Sequence, residues 1–199
     1  MLIWVCALKC EAKPLIDLYR LRKEKAPQPF SLYRGDGLAC VVSGIGRPAM
    51  QTATHWSGHL ASNNGCNVWI NLGIAGHASL PIGALRLAAS FALPGDLAPL
   101  AASLPIDPSI EALPLITFDA PQSAYPAQAM ADMEGHAFAL AAQAITSPKW
   151  RHSIKIISDN AASGATRNKP FISGLIAEQL HSIDQFAQTI VHQANLAHD

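Results

Sequence analysis

Val68-Trp69-Ile70-Asn71-Leu72-Gly73-Ile74-Ala75-Gly76 is the stretch on which the reading of the fold turns. Val68 to Leu72 is apolar on both faces of an extended chain apart from Asn71, so it reads as a buried strand. Gly73-Ile74-Ala75-Gly76 then reads as a glycine turn at its carboxyl end. A strand hidden on both faces belongs in a sheet covered by helices on each side.

Working outward, the same alternation recurs. Leu2 to Leu8 is a second continuous apolar run, followed by a helical pattern from Ala12 to Lys23 that carries Leu15, Ile16, Leu18 and Tyr19. Phe30 to Tyr33 and Leu38 to Ser43 flank Gly35-Asp36-Gly37 and predict a hairpin. Gly44-Ile45-Gly46 leads into a helix from about Pro48. Leu85 to Leu93 predicts a further strand, Pro94 to Pro114 a long irregular connection, and Leu115 to Phe118 and Gln128 to Met133 two more strands. A helix over Glu134 to Ile145, a β-branched strand over Ile154 to Ser158, and one closing helix over Phe171 to Ala194 complete the pass. The expectation is a single α/β domain over residues 1–199, a three-layer structure whose mixed, mostly parallel sheet is flanked by helices.

Composition narrows the function. Half of the residues are hydrophobic, 14 acidic residues balance 14 basic ones, and no Lys/Arg run occurs, which argues against nucleic acid or a membrane surface as partner. The apolar start lacks a basic flank and is interrupted at Lys9 and Glu11, so it reads as a core strand of a cytoplasmic protein. Cys6, Cys10, Cys40 and Cys66 show neither disulfide-framework nor zinc spacing. His55 and His59 stand at helical spacing without the glutamate of a metalloprotease helix, and no metal or cofactor is expected.

Chemistry-bearing residues gather at strand ends: Glu11, the turns at Gly44-Ile45-Gly46 and Gly73 to Gly76, Asp132-Met133-Glu134 at a strand-to-helix junction, and Asp159 after Ser158. Such edges are where α/β sheets collect ligands. Each carboxylate taken alone is an ordinary helix-start acid, and Asp132 reads equally as the cap of the helix near Glu134. Taken together they supply what N-glycoside cleavage needs: anionic groups beside an oxocarbenium-like transition state, an acid for the leaving base and a base for water. Gly44-Ile45-Gly46-Arg47-Pro48-Ala49 also matches a variant dinucleotide fingerprint, but the strand that should end in a ribose-binding acid ends Ile70-Asn71-Leu72-Gly73. An NAD-dependent oxidoreductase therefore ranks behind the other readings.

The order of these motifs resembles the nucleoside phosphorylases and 5′-methylthioadenosine/S-adenosylhomocysteine nucleosidases. Ala7-Leu8-Lys9-Cys10-Glu11-Ala12, Val42-Ser43-Gly44-Ile45-Gly46, Ile70 to Gly76, Asp132-Met133-Glu134 and Ile157-Ser158-Asp159 carry the resemblance. It implies that Glu11 activates water, Asp159 protonates the purine, Glu134 grips the ribose hydroxyls above Met133, and Ala75, Gly76 and Ser158 line the site. Gly46-Arg47-Pro48-Ala49 and Asp132 to Ala137 look closer to the hopanoid-associated phosphorylase-like proteins. The chain is short for the family, and Pro94 to Pro126, which normally helps to build the base pocket, is compressed. The leading expectation is a purine nucleosidase acting as a homodimer. A phosphorylase with Arg47 or His77 receiving phosphate, and a nucleoside-binding protein without activity, stand as alternatives.

Overall fold

The structure is a computed structural model that describes residues 1–62, 65–104, 110–163 and 168–197. Strand β1 (Leu2–Cys6) lies between β4 (Leu38–Val42) and β5 (Val68–His77), parallel to both. Strand β10 (Arg151–Asn160) lies on the other side of β5, again parallel. Their carboxyl ends thus share one edge of the sheet. On the outside β4 continues antiparallel into β3 (Ser31–Gly35) and β2 (Arg22–Lys23), the predicted hairpin closing through Gly37 at φ +66°.

Beyond β10 the sheet curls back on itself. β10 pairs antiparallel with β6 (Leu85–Ala92), which also carries the short β7 (Leu100–Ala101). β6 pairs in parallel with β8 (Ala112–Thr117) and β8 with β9 (Met130–Asp132), whose Ala131 then meets Gly76 of β5. The sheet is mixed, and the ring β5, β10, β6, β8, β9 is closed.

Alternation along the strands sorts the helices into two outer layers. Leu2, Trp4 and Cys6 face α1 (Lys9–Leu18), α4 (Lys169–Glu178) and α5 (Leu180–Leu196), packing with Leu15, Ile176 and Phe186. Ile3, Val5 and Trp69 face α2 (Arg47–Ser57) and α3 (Gly135–Ala142), packing with Met50 and Phe138. A third cluster, including Phe91, Leu115, Met130 and Ile157, fills the curled part beside Ala139 of α3. Each large side chain buried in this way contributes about 1.5–3 kcal/mol, so burial on both faces is what holds the three layers together.

Four sequence expectations are corrected. Gly73 to Gly76 is not a turn: β5 runs on to His77, because β10 pairs along it as far as that residue. Asp159 lies inside β10 rather than after it. The first helix begins at Lys9 and ends at Leu18, since Glu11 supplies its opening turn with an acceptor and Arg20 leaves helical geometry at φ 51°. The closing helix is two helices, broken at Gln179, where the backbone departs from helical angles. Residues 105–109 of the predicted irregular connection lie outside the described residues. Among the described residues no helix is long and apolar enough to cross a membrane.

Candidate active site

Gly44 and Gly46 take φ of +92° and +91°, a region that side chains with a Cβ avoid. Their turn brings the chain from β4 across the end of β1, where Ser43 and Gly44 donate N–H bonds to the carbonyls of Cys6 and Ala7. It also leaves the Gly46 N–H pointing outward, and the Glu134 Oε1 accepts from it at 2.7 Å. Helix α2 starts at the next residue, so Glu134 holds one of the free donors at a helix amino terminus.

In the first turn of α1, just past the end of β1, Glu11 folds back to the start of its own helix. Its Oε2 accepts the Leu8 N–H at 2.8 Å and its Oε1 the Ile74 N–H at 3.1 Å. The carboxyl group is thereby fixed between α1 and β5. Gly73 makes room for it: a Cβ there would lie 3.0 Å from the Glu11 Oε1 and 3.4 Å from the Lys155 Nζ. The glycine serves close approach, not a turn.

Asp159 is aimed by a bulge in β10. The register with β5 steps from Ile157 opposite Ala75 to Asp159 opposite Gly76, leaving Ser158 as the extra residue. Consecutive side chains of a regular strand face opposite ways, and the bulge lets Ser158 and Asp159 work side by side. The Ser158 hydroxyl donates to the Asp159 Oδ1 at 2.5 Å, and the Tyr125 hydroxyl donates to the Oδ2. Tyr125 comes from the connection between β8 and β9, with its ring against Gly76.

A cavity of about 300 Å³ opens where these elements meet. Glu11, Glu134, Asp159, Met133, Ser158, Ala75 and Gly76 all line it. Its remaining walls include Ile45, Ile74, Ile172, Pro121 and Tyr125, so the connection between β8 and β9 closes one side. Four acidic residues, Glu11, Asp132, Glu134 and Asp159, contribute to the lining, the Asp132 carboxylate being sealed behind the wall against Lys155, and no Lys, Arg or His lines it among the described residues.

Two sequence candidates fall outside it. Arg47 turns to the surface, where its guanidinium pairs with Asp119 at 2.7 Å. His77 sits beyond the cavity at the end of β5, with its Nδ1 accepting the N–H groups of Ser79 and Leu80 at 3.1 Å each, so that ring nitrogen is committed to the following turn. Burial, reinforced by Arg86, lowers its tendency to carry charge. The geometry thus does not bring either residue to a ligand in this cavity.

Residues that motif reading passed over hold the charges in place. Lys155, fully buried within β10, pairs with Asp132 at 2.8 Å. Asp132 also accepts from the Thr117 hydroxyl at 2.6 Å and the Gly135 N–H at 2.8 Å, so besides partnering Lys155 it satisfies the first N–H of α3, whose N-cap position is Glu134. Burial alone would lower the Lys155 pKa, but Asp132, Glu134 and Glu11 around it hold the ammonium above its ordinary range. Burial pushes the Glu11 carboxyl up to about 7, against the opposing pull of the Leu8 N–H and Lys155. Burial and the nearby Asp132 also raise Glu134. A carboxyl poised near neutrality in a cleft is suited to exchanging a proton.

No family model matches the chain, and no curated protein matches it in sequence. Solved structures do match. The apo form of the 5′-methylthioadenosine nucleosidase of Arabidopsis thaliana superposes with a TM-score of 0.76 at 18% identity, covering 94% of this chain and 95% of that one. The chain has the fold of the methylthioadenosine nucleosidases. An MTAN protein of Chlamydia trachomatis superposes on the same nucleosidase fold with a TM-score of 0.68 at 22% identity, over 92% of this chain and 97% of that one. The 5′-methylthioadenosine/S-adenosylhomocysteine nucleosidase of S. pneumoniae, bound to the transition-state inhibitor MT-ImmA, does so with a TM-score of 0.69 at 19% identity, over 98% and 99%. The match spans nearly the whole length of each chain, so the nucleosidase fold is present here without a missing layer.

Proposed function

We propose that the protein hydrolyses the N-glycosidic bond of a purine nucleoside in the cavity bordered by Glu11, Glu134 and Asp159. The observation that carries this reading is the cavity's charge: three acidic residues, Glu11, Glu134 and Asp159, line the space with the Asp132 carboxylate sealed behind them, and no basic side chain among the described residues lines it. Such a lining favours a ribosyl group that becomes cationic as its bond to the base breaks. Glu11, raised to about 7, takes a proton from water, and Asp159 delivers one to the departing base. Glu134 receives the ribose hydroxyls, while Met133 provides an apolar floor. The Lys155 ammonium stands behind the acids and moderates their mutual repulsion.

Water suits this site better than phosphate as the nucleophile. A phosphate would need cationic or amide donors, and Arg47 and His77 are engaged elsewhere. Product analysis decides: free ribose formed without phosphate is expected, whereas an absolute phosphate requirement with ribose 1-phosphate as product would establish a phosphorylase.

One observation favours a second reading, a nucleoside-binding protein without activity. Both oxygens of Asp159 accept hydroxyl hydrogen bonds, from Ser158 and Tyr125, so the carboxyl group assigned as acid is already held by two donors. Calorimetry with adenosine beside a base-release assay separates the two, because saturable binding without release would favour the binder. We read residues 1–199 as one domain and the working unit as a homodimer; sedimentation equilibrium tests the latter, and a monomer at assay concentration would refute it.

A further inference from the structure

The connection between β8 and β9 places a phenol where a ligand for Asp159 has to go. The Tyr125 hydroxyl donates to the Asp159 Oδ2, the carboxylate oxygen not engaged by Ser158. Its ring lies over Gly76, where even a methyl group would collide with it. Both Tyr125 and Gly76 border the cavity, so the ring takes part of the space in front of Asp159. Thr117 at the end of β8 and Met130 at the start of β9 are fixed in the sheet, but the segment between them forms no strand or helix of its own. Tyr125 can therefore leave its bond without disturbing the core.

From these contacts we infer that Tyr125 is a specificity-determining gate: its hydroxyl competes with the base of the ligand for the Asp159 carboxyl. This rests on the proposed purine site. Only a ligand that offers Asp159 a hydrogen-bonding group in place of the phenol recovers what opening the gate loses. A base of similar shape lacking that group leaves the buried carboxyl without the partner it had, which is a heavier loss than a missing apolar contact. The apparent affinity of every ligand is reduced by the fraction of molecules in which the gate is closed.

The deciding experiment is calorimetric titration of adenine into the wild-type protein, Tyr125→Phe and Tyr125→Ala, with urea unfolding of the same proteins and of Asp159→Ala and the Tyr125→Phe/Asp159→Ala double variant. Tyr125→Phe keeps the ring and removes only the competing hydroxyl. Adenine should bind it about tenfold more tightly than wild type, the effect of one hydrogen bond to a carboxylate. Without ligand, the two substitutions should be non-additive by a similar factor in the unfolding constant, which also shows that the variants fold. Equal or weaker adenine binding by Tyr125→Phe overturns the gate and leaves the purine site standing, and additivity overturns it likewise. Adenine binding to none of the three proteins, including the opened Tyr125→Ala, overturns the purine site and the gate with it.

Discussion

The Lys155 ammonium lies 2.8 Å from the Asp132 carboxylate, and both side chains are sealed from solvent. An ion pair so enclosed gives modest net stability when intact, yet removing one member leaves the other charged in a poor environment. Lys155→Met should therefore lower the unfolding free energy by about 3–5 kcal/mol. Adding Asp132→Asn should restore part of that, because the lone charge is gone. Recovery stays partial, since Asp132 also accepts from Thr117 and Gly135. Urea unfolding of the single and double variants checks this, and a double variant less stable than Lys155→Met would show that the pair is not what the lysine is for.

The same lysine acts on Glu11. Burial sets the Glu11 carboxyl near 7, with Lys155 pulling it down. If the ionised form activates water, kcat/KM should rise with pH to a plateau above about 7. Stability should run the other way. The folded protein holds the Glu11 proton between 4.5 and about 7 while the unfolded chain has lost it, so stability falls as pH rises through that interval. The fall approaches about 3 kcal/mol, at 1.36 kcal/mol for each pKa unit. Glu11→Gln should flatten this part of the pH–stability profile. An unchanged slope would place the titration elsewhere.

Gly73 gives a sharper test of geometry. A methyl group at this position presses on the Glu11 carboxylate and approaches Lys155, and its nearest neighbours are side-chain atoms rather than backbone. Gly73→Ala should leave stability within about 1 kcal/mol, because reduced freedom of the unfolded chain offsets the local crowding. Activity should fall about tenfold to a hundredfold through displacement of Glu11. A variant that keeps full activity would show that Glu11 need not stand where it does.

How much of this was legible depends on what each residue has to satisfy. Apolar runs such as Val68 to Leu72 announce buried strands because two covered faces leave no place for polar side chains except Asn71, which bonds the Val5 carbonyl and accepts from Ser153. Gly44 and Gly46 were readable as turn glycines because their backbone angles demand it. Gly73 and Gly76 misled for the same reason: identical residues there serve the close approach of Glu11 and Tyr125, a tertiary requirement with no local trace. Lys155 did leave a signal. A lysine inside Ile154-Lys155-Ile156-Ile157 must be buried with carboxylates around it, and the acids of Asp132-Met133-Glu134 were the available partners. Tyr125 left none, since nothing in an irregular, proline-rich connection says which residue will fold inward.

The roles assigned to Glu11 and Asp159 differ in a way that kinetics can separate, even if both variants are nearly inactive on an ordinary nucleoside. Asp159→Asn removes the proton donor for the base. A purine nucleoside then loses its assisted departure, whereas a riboside with an activated leaving group, such as a nitrophenyl group, departs without a proton. Asp159→Asn should thus slow the purine nucleoside by about 10² to 10⁴ and largely spare the nitrophenyl riboside. Glu11→Gln removes water activation, a step common to both substrates, and should slow both. In Asp159→Asn the side-chain amide keeps an oxygen that can accept from the Tyr125 or Ser158 hydroxyl, so the comparison is made on a site of nearly unchanged shape. Equal slowing of both substrates by Asp159→Asn would remove Asp159 from the role of acid, and wild-type rates in both variants would move the reaction out of this cavity altogether.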